Sequence, residues 1–486
     1  MAQPKSITLD NFNLGGLADS QWSGIKNSVY EMVGLDPHST PGLLQVAQEL
    51  TKNSGTTVTE LCKCAVNCST GIRYWFSSSS GKIWQDKAGT WTLVYTVSAG
   101  AGESNILGAY EYQGYIYFAT ELRLHRISIS LADGSSAWTT NAVPNWATFT
   151  AGDPDWHPMT IQNLVLYIGD GRIVAQVDGG VFSANALDLE NPHRIKSLGK
   201  FETDLLIGTY IASGISKCAI FRWNTWSVSF SNFVEVDEVG VNCFIISDNI
   251  VFVQAGISGN IYVYTGASLD LFRKIPGTYS PTSYGSVNPN SVATMNGQLL
   301  MGFSNGSGNP ANEGIYRIGR HSRNYPYILD FPYPVSESGA NQIFHSKEIG
   351  AIIVSGMDMW VSWKNTYSST TYGIDKLNWS SKYDKAYIET RRISPDTSER
   401  TNFSRFEIAY YTKLGTSPNY YGFTLYLYLN NEDEVTLPLI FDNDRLLAYV
   451  NYSVESSVIK LRVEFNRHLT QPEISSSITG LIIKVS

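Results

Sequence analysis

Between about residue 65 and about residue 365 one pattern returns seven times, and it constrains the fold more than any other feature of the chain. Each copy holds a polar turn, a strand of apolar and aromatic residues, a Gly, Ser or Asp turn, and a second strand with an aromatic or large aliphatic residue. The copies are Gly71–Phe76 with Ser80–Trp84, Gln113–Phe118 with Leu122–Ile127, Asn163–Ile168 with Gly171–Val177, and Asp204–Gly208 with Cys218–Trp223. Asp248–Val253 with Gly259–Tyr264, Asn296–Gly302 with Gly314–Ile318, and Ile349–Val354 with Met357–Val361 complete the set. A spacing of about 40 to 55 residues is the period of a four-stranded propeller blade. One meander sheet cannot bury both of its faces, whereas a ring of radial blades buries them against each other and leaves only short edges. The quoted strands are expected to be the second and third of each blade, with weaker strands such as Trp91–Tyr95 flanking them. No copy carries a Trp-Asp signature.

Composition agrees with this reading. Charged residues are 16% of the 486 and aromatics 13%, with 41 Gly. Disorder needs the opposite balance, and coiled coils need many more Glu, Lys and Arg. The expectation is an all-β chain. A formal charge of −8 argues against a general nucleic-acid surface. The N-terminus shows no apolar secretory region, and no apolar run approaches the roughly 20 residues of a membrane-spanning helix. A soluble protein made in a cytoplasm, without a membrane partner, is expected.

Outside the repeat the pattern changes. From about Lys385 the strands lengthen and alternate: Phe403–Tyr411, Gly422–Leu429, Val458–Phe465 and Ile478–Val485. These predict a C-terminal antiparallel β-sandwich of about 100 residues. The first 60 residues lack a core pattern of their own, with Val46–Leu50 a short β or turn segment. They predict an extended N-terminal arm that packs on the propeller or on a neighbour. The chain therefore divides into an arm over 1–58, an about seven-bladed β-propeller over 59–380 and a β-sandwich over 381–486.

Candidate chemistry is sparse. Cys62, Cys64 and Cys68 lie close together, but zinc needs a second ligand pair, and no Cys-x-x-Cys or nearby His supplies one. Residues two apart on a strand share a face, so buried thiols are expected. Gln85–Trp91 looks like an Asp-box, a folding turn between the outer strands of sialidase-type blades. A sialidase also needs several arginines converging on a carboxylate. Arg73, Arg126, Arg172, Arg222 and Arg317 sit on predicted blade strands, where they line a channel mouth only if the fold brings them together. Asp153–His157 and Asp442–Asp444 read as turns. Of Tyr410/Tyr411, Tyr420/Tyr421 and Trp223/Trp226, one member of each pair is expected in the core and the rest at interfaces. No catalytic residue, metal ligand or cofactor is expected.

The order of parts resembles the tail-nozzle or tail-hub proteins of short-tailed phages. The pieces are the Gly-Gly-Leu arm Phe12–Leu17, the stretch Asn27–Asp36 and the turn Thr40–Leu43, followed by propeller and sandwich. The resemblance implies a non-enzymatic virion subunit of the tail or neck, assembled in the host cytoplasm. Its partners would be copies of itself in a ring and other phage tail proteins, with DNA passing through without specific binding. On this layout Phe12, Leu14, Trp22 and Tyr30 are the candidate assembly contacts. The acidic balance would leave passing DNA ungripped, because phosphate contacts are what hold it. Two alternatives stay open: a receptor- or glycan-binding module at a tail tip, and a propeller-fold glycosidase.

Overall fold

A computed structural model of the chain describes residues 5–22, 24–97, 104–133, 136, 138–139, 143–151, 155–212, 217–275, 285–305, 313–336, 347–366, 369–384, 386–394, 401–411, 422–430, 433–466 and 476–485. Tyr420 and Tyr421, and the Asp153-Pro154 start of one candidate turn, lie outside them.

The fold is all-β and contains a propeller. Six blades are separate four-stranded antiparallel sheets. Five are sequential meanders, running from Cys62 to Thr96, Ile106 to Thr148, Met159 to Asp188, His193 to Val236 and Val241 to Lys274. The sixth joins Lys347–Ser355, Asp358–Asn365 and Thr371–Lys382 to the distant strand Gln48–Lys52. Strands inside a blade are buried on both faces. Arg73–Ser77 is buried throughout, whereas the outer strand Thr90–Thr96 is largely exposed.

Tight turns set the register. In Gln113-Gly114, Asn163-Leu164, Asp248-Asn249 and Asn296-Gly297 both residues have positive φ. This is the type I′ geometry, whose twist matches that of the flanking strands. The expected second and third strands fall in place in the first five copies of the repeat, and those of the sixth, Gln298–Asn305 and Gly314–Gly319, are the middle strands of a meander that continues into a larger sheet. In the seventh copy they are shifted by one: Lys347–Ser355 is the first strand of its sheet and Asp358–Asn365 the second. The fourth strand comes from the other end of the chain, so local pattern alone could not place the frame.

Neighbouring blades approach closely where glycine stands. A Cβ on Gly108 would lie 1.9 Å from the His157 carbonyl oxygen, and one on Gly350 2.1 Å from the Cys62 carbonyl oxygen. All five cysteines are buried free thiols, which for Cys62, Cys64 and Cys68 is the expected state.

The remaining strands form two larger sheets. A nine-stranded sheet starts with the meander Gly285–Met295, Gln298–Asn305, Gly314–Gly319 and Ile328–Tyr333. It continues through Glu31–Val33, Tyr387–Glu389, Ile459–Phe465, Phe423–Leu429 and Asp433–Leu437. A seven-stranded sheet holds Lys5–Asp10, Leu35–Asp36, Leu44–Val46, Ser477–Val485, Thr401–Tyr410, Leu447–Ser456 and Ile440–Asp442. Both sheets feed one core that includes Phe403, Phe406, Leu425, Leu461, Leu481 and Ile483.

The N-terminal residues are woven into these sheets. Lys5–Asp10 pairs with Ser477–Val485 along its whole length. Glu31–Val33 lies between Ile328–Tyr333 and Tyr387–Glu389. Of the two destinations expected for the arm, its described part takes the chain's own body.

Candidate functional site

The four candidate contacts of the N-terminal segment part company. Phe12 lies in the one-turn helix Phe12–Gly15 and is buried in the core that includes Leu329 and Phe331. This removes it from the surface, because its apolar area is already covered by the chain itself. Tyr30 is half-buried, and its backbone N–H donates to the Glu389 carbonyl. Leu14 and Trp22 remain exposed, Trp22 at 62%. The Arg392 guanidinium lies 4.6 Å from the Trp22 ring centroid.

A second exposed apolar group sits on adjacent hairpin tips of two neighbouring blades. Leu164, Trp226 and Val228 are 83%, 84% and 96% exposed. Leu164 has φ 65° and Thr225 φ 67°, a conformation costly for side chains with a Cβ. The Asn163 carboxamide donates to the Thr225 hydroxyl at 3.0 Å and to the Thr203 carbonyl at 3.2 Å, tying the tips together. Sequence reasoning missed Leu164, because an Asn-Leu turn carries no glycine to announce it. For Trp226 the pair rule held: Trp223 is core and Trp226 is surface. Tyr410 and Tyr411 divide in the same way.

A third group gathers polar side chains near the leading ends of the innermost blade strands. Lys63 pairs with Glu348 at 3.0 Å, and its ammonium lies 5.4 Å from the Trp156 ring centroid. The Tyr210 hydroxyl donates to the Asp155 carboxylate. Asn290 Nδ2 donates to the Lys63 carbonyl at 3.1 Å. Burial pulls the Lys196 ammonium below its ordinary pKa, with Asp155 opposing this and Lys63 adding to it. Lys63 and Lys196 belong to different blades, Cys62–Thr96 and His193–Val236. Lys63 and Glu348 are partly exposed, so their pair is weak.

The arginines singled out in the sequence do not share one site. Arg73 pairs with Asp86 at 2.9 Å and lies over Trp360. Arg172 pairs with Asp188, and Arg222 with Asp204. Arg126 lies between the rings of Tyr115 and Trp146. Arg317 is buried against Asp330 and Asp36. Each is committed to its own blade or the contact beside it, which removes the convergence a sialidase-like site needs. The Asp-box segment is a turn between third and fourth strands, in which Asp86 accepts from the Gly89 N–H at 2.8 Å. His157 is buried, stacked 4.1 Å from Phe149, with Nδ1 2.7 Å from the Gly169 carbonyl. Asp442 accepts from the N–H groups of Asp444 and Arg445, as a solvated turn does. Among the described residues, no three His, Cys, Asp or Glu side chains are grouped to hold a metal ion.

No family model matches the chain, and no curated protein matches it. Among solved structures it is similar to the extracellular domain designated BT4673 from B. thetaiotaomicron, at 14% identity and a TM-score of 0.48. That match covers 77% of this chain and 44% of the other, so the chain spans less than half of that structure's length. It is also similar to virginiamycin B lyase from Staphylococcus aureus, at 13% identity, TM-score 0.45, covering 68% of this chain and 99% of the other. The WD40 β-propeller domain of Doa1 matches at 12% identity and TM-score 0.43, covering 68% and 97%.

Proposed function

We propose that this chain is a non-enzymatic structural subunit of a multi-copy assembly, and that the assembly is the tail or neck of a phage particle. The observation that carries the assembly reading is the exposed set Leu164, Trp226 and Val228 on tips bonded to each other. Contiguous exposed apolar groups on soluble proteins mark contact surfaces, and strained turns persist where a role maintains them. The occupant of this surface is another copy of the chain, closing a symmetric ring. The phage assignment rests on the order of parts in the sequence.

We further infer a seven-bladed ring, with the meander Gly285–Tyr333 as the blade between Val241–Lys274 and Lys347–Lys382. A circuit of hydrogen bonds supports this. Ser69 N–H reaches Glu111, His157 N–H reaches the Leu107 carbonyl, and Ile195 N–H reaches the Gly171 carbonyl. Ser197 Oγ reaches the Val241 carbonyl, Gly285 N–H the Ile257 carbonyl, Ser291 Oγ the Gly350 carbonyl, and Cys62 N–H the Ser362 hydroxyl. The two larger sheets, sharing one core, are read as the C-terminal sandwich with the N-terminal strands added.

Two measurements test this. Mass spectrometry of purified particles would find the protein at stoichiometric copy number. Light scattering on the isolated protein would find a multimer that Leu164→Ser with Trp226→Ser dissociates at unchanged melting temperature. A wild-type monomer at all concentrations, together with absence from particles, overturns the proposal.

A further inference from the structure

We propose that the exposed tips dock head-to-tail, the Trp226 indole of one copy entering a cleft lined by Tyr428, Val458 and Lys460 of the next. This rests on the ring assembly proposed above and names its second surface. Tips meeting tips would be an isologous contact, which pairs two copies and then closes. A ring of more copies needs two different surfaces, one for each neighbour. The tips supply the projecting one. Trp226 is 84% exposed and Val228 96%. Their loop is fixed from within. Asn224 Oδ1 accepts from the Trp226 N–H at 3.0 Å, the Ser227 N–H at 2.9 Å and the Ser227 hydroxyl at 2.8 Å. The Trp223 Nε1–H donates to the Ser227 carbonyl at 2.8 Å. A tryptophan on a fixed loop has little backbone freedom left to lose on binding, and tryptophan leads the residues that anchor interfaces.

The receiving surface has to be concave, partly apolar and separate from the tips. A cleft of about 170 Å³, lined in part by Gln21, Arg392, Tyr428, Val458, Ile459 and Lys460, meets this. Tyr428 belongs to the strand Phe423–Leu429 and Lys460 to Ile459–Phe465, both in the nine-stranded sheet, whereas the tips belong to the blades Met159–Asp188 and His193–Val236. A cavity of about 150 Å³ holds one benzene ring, so the cleft accepts an aromatic side chain. Val458 and Ile459 offer aliphatic contact, Tyr428 a second ring and Lys460 a cation. The Lys460 ammonium already lies 4.5 Å from the Tyr428 ring centroid, and tryptophan is the strongest ring partner for a cation. Leu164 in the same place would leave ring and cation unused. The fit needs no free charge: Lys460 keeps its pair with Glu389 at 2.8 Å, and Arg392 its bond to Gln21 at 2.9 Å. Charge agrees at the rim. Glu202, its side chain 65% exposed, precedes Thr203 on a third hairpin tip that Asn163 ties to the others. It sets an acid beside the neighbour's Arg392 and Lys460.

The test uses the full chain with cysteines placed beside the two surfaces, Val228→Cys at the tip and Ser457→Cys at the cleft rim. Both positions are exposed, and both changes leave Trp226 and the cleft lining in place. The native thiols are buried. With a short bis-maleimide, a chain carrying both cysteines is expected to give a ladder of linked multimers, and either single variant none. Adding Trp226→Ala is expected to abolish the ladder and Trp226→Phe to retain it, at unchanged melting temperature because Trp226 is at the surface. Linkage of Val228→Cys alone, or a ladder that survives Trp226→Ala, overturns the docking while leaving the assembly standing. So does a wild-type multimer by light scattering whose doubly substituted form gives no ladder. A wild-type monomer at every concentration overturns the assembly reading itself, and this inference with it.

Discussion

Glu31 offers the sharpest physical test of how the N-terminal segment is bound into the body. Its strand sits directly opposite Tyr387–Glu389, with Glu31 facing Glu389 in the register. The Tyr387 hydroxyl donates to Glu31 Oε2 at 2.7 Å. Burial, and secondarily the Glu389 charge, lift the Glu31 carboxyl from 4.5 to about 7. The native state therefore holds a proton that the unfolded chain has lost between these two values. Stability falls as pH rises from 4.5 to 7, and the loss is complete above 7. At about 1.4 kcal/mol per pH unit the penalty has an upper bound on the order of 3 kcal/mol. Glu31→Gln keeps an acceptor for Tyr387 and never ionises. At pH 8 the variant should melt a few degrees above wild type, and near pH 4.5 the two should coincide. Thermal melts followed by near-ultraviolet circular dichroism at both pH values read this directly. A variant less stable than wild type at pH 8 refutes the reasoning, because the Glu31 charge would then be serving Arg462 or Lys460 as a partner.

Other consequences follow from packing. Gly108→Ala forces a Cβ into the His157 carbonyl and should cost about 3 kcal/mol or more, read as a lowered melting temperature; an unchanged melt contradicts the close approach. Leu50→Ala, in the strand donated to the last blade and buried in its core, should cost about 2–5 kcal/mol and speed proteolysis within 347–382. Proteolysis at the wild-type rate argues against that closure. Burial pushes the thiols of Cys64, Cys68, Cys218 and Cys243 up to about 12, and that of Cys62 well above its usual range. A thiol reagent at pH 8 should find no fast-reacting cysteine in the native protein and five after denaturation.

The blades were legible in the chain where turn chemistry and burial coincide. Gln113-Gly114 and Asn296-Gly297 announce their hairpins, and the strands after them are buried on both faces, so they read as continuous apolar runs. The strands that went unread, or were read without their partners, are those with one exposed face or a distant partner. Leu447–Ser456 alternates buried and exposed residues weakly and is rich in Tyr, Ser and Asn. Gln48–Lys52 has one apolar side chain, Leu50, and nothing nearby shows what it pairs with. The candidate contacts failed at Phe12 for the same reason. An isolated aromatic in a glycine-rich segment looks exposed until its partners Leu329 and Phe331, over 300 residues away, are brought to it. The exposed hairpin tips and the polar group around Lys63 were illegible as groups, because each is assembled from segments of different blades or sheets.

Closing the last blade with a strand from the start of the chain has a definable energetic cost. The Lys52 ammonium meets the Tyr372 carbonyl across a separation of 320 residues, where a hairpin would span about ten. Loop-closure entropy grows only logarithmically, by about 0.6 kcal/mol per doubling, so the excess over a hairpin is about 3 kcal/mol. Burying Leu50 returns about 2 kcal/mol, and the ladder from Asp375↔Lys52 to Asn378↔Glu49 adds bonds worth about 1 kcal/mol net each. The closure is favourable, but by a margin that one large core substitution can erase. The other N-terminal strands add to that margin. With Lys5–Asp10 paired to the final strand and Glu31–Val33 set between two others, opening the blade beyond Gln48 also pulls on contacts in both larger sheets. Relative motion between the propeller and those sheets must break that shared weave, which is the stiffness the proposed ring assembly would require.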